Sequence, residues 1–371
     1  MMNNKRICCI FNIGAHYRLP IYSKMAEELS CDFYMGDCIE TTIKTFDYQQ
    51  LKGYKRTLNN RFLHHFYWQS GSISLILKPY DFYILDGEPY CLSSWCLLLL
   101  AKVFRKKTIA WTHGWYGRES AFKKVIKKLF YSLHWRLMIY NEYAIKLMVQ
   151  ENIPCKKMYC IANSLDSDRI RNIRNQLKPS TIYYKHFGND APVLIYCGRI
   201  QKRKKLNMLV DCLTLLNNQD IPANLVIVGA DNENTGLASY IKQQHLEAKV
   251  WLYGPCYDEN QISELFYNAT VCISPGNVGL TAIHALSYGC PVITHGNFAY
   301  QMPEFEAIIP QVTGAFFQHD SLDDLCKTIA DWLTYNKDKR ETIRLQAYQE
   351  IDSKWNIHYQ IETIKQVIEN D

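Results

Sequence analysis

The segment Ser274-Pro-Gly-Asn-Val-Gly-Leu-Thr-Ala-Ile-His-Ala-Leu-Ser-Tyr-Gly-Cys-Pro-Val-Ile-Thr294 reads as a strand end, a glycine-bearing loop, a short helix, a stop at Gly289 and a second strand. That succession belongs to a parallel α/β sheet. Gly276 and Gly279 let the backbone come close to a ligand, and the helix that follows would point unpaired N–H groups at it, which suits phosphate. An ordinary tight turn between strand and helix is the plainer reading of the same residues.

Upstream, the run Cys197-Gly-Arg-Ile-Gln-Lys-Arg-Lys-Lys205 closes another apolar strand and holds five cations within seven residues. In a doubly wound sheet, ligands bind beyond the carboxyl ends of the strands. Arg199 offers a bidentate phosphate contact and a lysine adds a point charge. A solvated basic loop is the alternative, but two anion-directed loops in one domain favour a diphosphate.

Strand patterns at 193–197, 225–228, 250–253, 271–274 and 292–294 alternate with helical ones. An earlier series does the same, with strands at 6–13, 31–34, 82–85, 108–111, 137–140 and 158–161. Between the two series, residues 175–190 are polar and read as a linker. The expected organisation is therefore a Rossmann-like domain over 1–185, a second over 190–350 and a closing helical segment over 351–371. A chain of 371 residues exceeds one ordinary core and suits two α/β domains.

An apolar share of 48% and a charged share of 21% fit a folded chain. Fourteen cysteines lack metal-type spacing, and several (Cys8, Cys9, Cys96, Cys197, Cys272) sit in apolar runs, as buried reduced thiols do. Met-Met-Asn-Asn-Lys-Arg at the start leads straight into a strand, so no signal peptide is expected, and the Leu92–Ala101 run is too short to span a bilayer. The net charge of +6 is uneven: residues 1–190 hold 28 Lys and Arg against 15 Asp and Glu, the remainder 14 against 21. A basic first half suggests an anionic partner. No nucleic-acid module is present, which leaves an anionic membrane surface. Residues 122–135 fit that partner, because Phe122, Val125, Ile126, Leu129, Phe130 and Leu133 share a helical face while Lys123, Lys124, Lys127 and Lys128 lie together off it. A core helix with a solvated lysine face has the same periodicity.

The order Gly-Arg-x4-Lys, Gly-x-Val-Gly-Leu, Tyr-Gly-Cys-Pro-Val-Ile, Pro303-Glu304 and Thr313-Gly314 resembles the carboxyl-terminal domain of family-4 glycosyltransferases of the GT-B fold. Asn163-Ser-Leu-Asp166, His113-Gly114 and Tyr17-Arg18-x-Pro20 resemble further family patterns, so the resemblance spans most of the chain. It implies two Rossmann-like domains facing a central cleft. It also implies retaining, metal-independent transfer of a sugar from a nucleotide diphosphate to a lipid-linked or oligosaccharide acceptor, as in surface polysaccharide assembly at the cytoplasmic membrane face. Arg199 and Lys204 take the diphosphate roles and His113 faces the reacting sugar. Gly14, Gly198, Tyr253, Gly254 and the 276–280 loop (Gly276, Asn277, Val278, Gly279, Leu280) would line the donor, while Tyr17, Asp86 and Glu88 would lie on the acceptor side.

The family's two glutamates, eight residues apart, are replaced here by Gly276 and His284. His284 could still bond a ribose hydroxyl, and Gly276 leaves room at the sugar. A GT-B sugar-nucleotide epimerase and a catalytically silent nucleotide-sugar binder are the other functions compatible with these residues. No cofactor beyond the nucleotide-sugar co-substrate is expected.

Overall fold

The computed structural model describes residues 5–40 and 43–369. The Met1–Asn4 lead and residues 370–371 of the closing segment lie outside them. The chain forms two compact α/β units, Met1–Asp166 with Asn356–Asp371, and Ser167–Trp355.

The first unit runs β1 (Ile7–Phe11), α1 (Leu19–Glu28), β2 (Cys31–Gly36), β3 (Tyr54–Leu63), β4 (Phe66–Ser70), β5 (Phe82–Asp86), α2 (Leu92–Val103), β6 (Lys107–Thr112), α3 (Ala121–Leu133), β7 (Arg136–Ile139), α4 (Glu142–Gln150) and β8 (Met158–Cys160). Its sheet order is β4-β3-β2-β1-β5-β6-β7-β8, parallel except for the β3–β4 hairpin. Ile-Cys-Cys-Ile-Phe of β1 is buried throughout, as a strand covered on both faces requires.

The second unit runs α5 (Ser167–Arg174), α6 (Ile182–Phe187), β9 (Val193–Cys197), α7 (Leu206–Asn218), β10 (Asn224–Val228), α8 (Leu237–Gln243), β11 (Val250–Gly254), α9 (Glu259–Asn268), β12 (Val271–Ser274), α10 (Thr281–Ser287), β13 (Val292–His295), β14 (Gly314–Phe317), α11 (Leu322–Tyr335) and α12 (Arg340–Ser353). Its order β11-β10-β9-β12-β13-β14 is wholly parallel and reverses between β9 and β12. The last helix, α13 (Ile357–Glu369), buries Ile361, Ile364 and Val367 in the core of the first unit.

Three features depart from the sequence reading. The β3–β4 hairpin was not expected, because two of its inward residues, Asn60 and Gln69, are polar and break the apolar alternation. The units divide at Asp166, ahead of the polar 175–190 stretch, because α5 packs against α9 and α10. That stretch also contains α6, whose Tyr183 is buried and donates to Leu265 O at 2.6 Å. Finally, the apolar stripe of α3 is divided: Phe122, Val125 and Leu129 are 73%, 67% and 56% exposed, as a surface-facing stripe requires, while Phe130 is buried in the core of the unit. Among the described residues, no helix is long and apolar enough to cross a membrane.

Candidate functional site

In the second sheet the strand order reverses beside β9, and two loops meet there. The β9 loop is pinned by Gly198 N–H to Val228 O, Ile200 N–H to Ala230 O and Tyr196 OH to Arg199 O, all at 2.8–2.9 Å. The β12 loop is interlocked with it. Gly276 N–H donates to Lys204 O at 3.2 Å, and Lys204 Nζ donates to Asn277 O. Burial lowers Lys204 to a pKa of about 8, helped by Arg203 and Arg199 and opposed by Glu304. Arg199 is exposed at the same edge.

The sequence reading gave the space at Gly276 to the sugar. It is filled by the chain itself, since a Cβ there would stand 2.3 Å from Arg203 O and 2.8 Å from Lys204 Cα. The reading also offered the amides of 278–280 to phosphate, and one of them is taken. Val278 N–H donates to the buried Gln301 Oε1 at 2.9 Å, while Gln301 Nε2 donates to Thr294 Oγ1 and His295 O at 2.8 and 3.0 Å. Among the described residues, the Gly279 and Leu280 amides donate to no protein acceptor. Thr281 Oγ1 ties the start of α10 to Cys197 O at 2.9 Å.

Beside these loops, Gly254 at the end of β11 accepts from Gly229 N–H at 2.9 Å, and Tyr253 OH donates to Gln261 Oε1 at 3.1 Å. His284 is not free to act alone. Its Nε2 lies 2.7 Å from Glu259 Oε1, which also accepts from Tyr288 OH at 2.6 Å. Burial pushes the Glu259 carboxyl up, but the His284 and Tyr288 bonds and Arg169 outweigh it and hold the pKa at about 2. Glu259 and Gln301 both escaped the sequence reading. The one available signal was Asp258-Glu259, an acidic helix start directly after a strand.

The first sheet reverses beside β1, and a second polar cluster gathers there. Asn12 N–H donates to Asp86 Oδ2, and Asn12 Nδ2 to Glu88 Oε2 at 3.4 Å. Asn60 Nδ2 and Gln69 Nε2 fix the Asn12 and Phe11 carbonyls at 2.9 and 3.0 Å, which accounts for the polar inward residues of the hairpin. Burial and neighbouring Glu88 raise Asp86 to a pKa of about 8, against the Asn12 bond and Arg18. Burial raises Glu88 as well. His113, half-buried after β6 with its ring against Tyr140 and Tyr116, is lowered to about 4 by burial, Arg18 and Lys127, so it is a neutral imidazole at neutral pH. Arg18 is buried against Tyr17, Trp111 and Tyr140, and its Nη2 donates to Tyr140 OH. Gly14 admits the chain's own rings, because a Cβ would meet Phe46 and Tyr48 at 2.7 Å.

A cavity of about 1460 Å³ in the second unit, lined by Thr181, Tyr184, Trp332 and Arg340, opens at the amino-terminal edge of the sheet, away from the anion-directed loops. The cavity carries cations of its own (Lys249, Lys337, Arg340 and Arg344), but it lies at the opposite end of the strands from the loops where a doubly wound sheet binds ligands. Among the described residues, no three His, Cys, Asp or Glu side chains converge as a metal-ligand set.

Residues 184–350 match the family model for glycosyl transferases group 1. The interlocked 198–205 and 276–280 loops both lie within the matched residues. No curated protein sequence matches the chain. Among solved structures, Anabaena Alr3699/HepE in complex with UDP aligns with a TM-score of 0.74 at 15% identity, covering 99% of this chain and 100% of that one. A glycosyltransferase from Rickettsia africae gives 0.73 at 15% identity over the full length of both chains. The lipopolysaccharide outer core galactosyltransferase WaaB gives 0.70 at 14%, covering 98% and 99%. At these identities the likeness is one of fold, the GT-B type with two Rossmann-like units.

Proposed function

We propose that the chain is a glycosyltransferase that moves a sugar from a nucleoside-diphosphate donor to a saccharide acceptor, lipid-linked or free, with retention and without a metal ion. The observation that carries this reading is the interlock of the Lys204 and Asn277 loops at the point where the strand order reverses, with Arg199 beside it. The family match over the same residues supports it, as does the UDP held by the Anabaena protein of like fold. Arg199, Lys204 and the Gly279 and Leu280 amides stabilise the departing diphosphate, supplying charge that a metal ion supplies elsewhere. The acceptor hydroxyl attacks from the face the phosphate leaves, and a phosphate oxygen takes its proton. His113, as a neutral imidazole, bonds a sugar hydroxyl, and Asp86 and Glu88 receive the acceptor.

Arg199→Ala and Lys204→Ala should each cost about 2–4 kcal/mol of transition-state stabilisation, the range for losing one preorganised donor. Turnover within threefold of wild type in both variants would overturn the assignment. An epimerase would release a new sugar nucleotide instead, and a silent binder would hold nucleotide with no turnover.

The exposed stripe of α3 supports docking on the anionic cytoplasmic face of a membrane. The adjoining α2 also exposes apolar side chains, Leu99 at 56% and Val103 at 74%. Two of the four expected lysines are engaged within the unit, Lys124 with Glu151 and Lys127 with Glu119 and Gly114 O. Lys123 and Lys128, both exposed, are left to meet lipid phosphates.

A further inference from the structure

We infer that Glu259 reads the ribose diol of the donor nucleotide, with His284 and Tyr288 as the residues that position it. The inference rests on the donor-site reading above and names the group that recognises one part of that donor.

Glu259 is the first residue of α9, and Asp258 fixes the helix start by accepting from Asn260 N–H at 2.9 Å. The side chain therefore leaves a rigid element at the same carboxyl edge of the sheet as the anion-directed loops. One oxygen is saturated: Oε1 takes both the His284 and the Tyr288 bonds. Among the described residues no protein donor reaches Oε2, and that atom is not buried. The Glu259 side chain is 21% exposed, and the His284 ring is held edge-on by Phe266 at 5.2 Å. Glu259 lies close enough to β9 for its charge to help raise the Cys197 thiol, after burial and Cys256.

A carboxylate can only accept hydrogen bonds, and it repels phosphate. A fixed anion along the same edge as Arg199 and Lys204 therefore sorts a nucleotide by charge. The phosphates go to the cations, and the hydroxyl-bearing part goes to the free oxygen. A ribose diol offers two donors there. The sequence reading gave this contact to His284 itself. The structure commits the Nε2 of His284 to Glu259, so the acid missing from α10 is supplied by α9, with the histidine as its support.

The bland alternative is a helix-start acid that merely pairs with His284, and the two readings separate under substitution. UDP, GDP and ADP are titrated calorimetrically into wild type, and the tightest is compared with its 2′-deoxy form. Wild type should favour the ribonucleotide about tenfold, the worth of one hydrogen bond to an ionised group. Glu259→Gln should bring the two ligands within about twofold of each other. His284→Glu, which sets a second carboxylate against Glu259, should weaken the ribonucleotide, and the exchange Glu259→His with His284→Glu should restore the preference. Should Glu259→Gln fail to fold, Glu259→Asp keeps the charge and the helix start while withdrawing the oxygen by one bond, and should lose the preference too. A ribo preference unchanged in Glu259→Gln or Glu259→Asp overturns this inference alone. Failure of wild type to bind any of the three nucleotides overturns the donor-site reading with it.

Discussion

Donor affinity should fall as pH rises from 7 to 9, and Lys204 is the reason. Burial and two neighbouring guanidinium groups hold its ammonium at a pKa of about 8, well below the ordinary lysine value. In the empty site its charged share falls from about nine-tenths at pH 7 to about one-tenth at pH 9. A bound diphosphate, already fully ionised above about pH 7, favours the charged form and returns the pKa toward the usual value. Binding therefore takes up a proton, and the apparent Kd should rise about tenfold between pH 7 and pH 9, roughly 1.4 kcal/mol. Calorimetric titration of UDP or GDP at pH 7, 8 and 9, in buffers of different ionisation enthalpy, measures both the affinity and the proton. Uptake should approach about half a proton at pH 8. Lys204→Arg keeps its charge throughout this range, so its affinity should be flat with pH, while Lys204→Met should be weak and flat. An unchanged wild-type Kd from pH 7 to 9, or the same slope in Lys204→Arg, refutes the reasoning.

Other perturbations test separate parts of the structure. Gly276→Ala drives a methyl group into the Arg203–Lys204 backbone and should lower stability by about 1–3 kcal/mol, together with nucleotide affinity, read by thermal unfolding and titration. Gln301→Leu leaves the Val278 amide buried without an acceptor and should cost about 1–3 kcal/mol in denaturant unfolding, while Gln301→Glu keeps that acceptor but sets a buried carboxylate against the His295 carbonyl and should cost at least as much. Asp86 has a folded pKa of about 8, above its unfolded value near about 4, so its stability contribution is full below about pH 4 and is lost as pH rises toward 8. Asp86→Asn should therefore gain on wild type, by up to a few kcal/mol, between pH 5 and 8; parallel stability curves would contradict this. Reversing Lys123 and Lys128 to glutamate should release the protein from phosphatidylserine vesicles at low salt, at about 1 kcal/mol per lysine removed. Binding that persists, or that wild type never shows, refutes the membrane role of α3 and leaves it a structural helix.

The second unit was legible in the sequence because its strands are buried on both faces and read as unbroken apolar runs, with Val193–Cys197 and Val271–Ser274 matching to the residue. The cation loop was legible for a different reason, since charge clustered at a strand end survives any local ambiguity. What could not be read were groups brought together from afar. Gln301 reaches Val278, and Glu259 meets His284, across separations with no fixed spacing. Periodicity also could not tell which surface the α3 stripe meets, because a core-facing stripe and a solvent-facing one share one pattern. Gly276 was read as room at the sugar and Gly14 as part of the donor lining, and at both the space a side chain would take belongs to neighbouring residues of the chain.

The occupied space at Gly276 fixes where an acid can stand in this unit. The 203–204 backbone lies where a side chain at position 276 would begin, and main-chain atoms cannot swing aside as a flexible side chain can. Placing a carboxylate at 276 therefore requires the cation loop to be lengthened or retracted, which displaces Lys204. Redesign of donor preference is better sited on α9 and α10, where Glu259 and His284 already face one another.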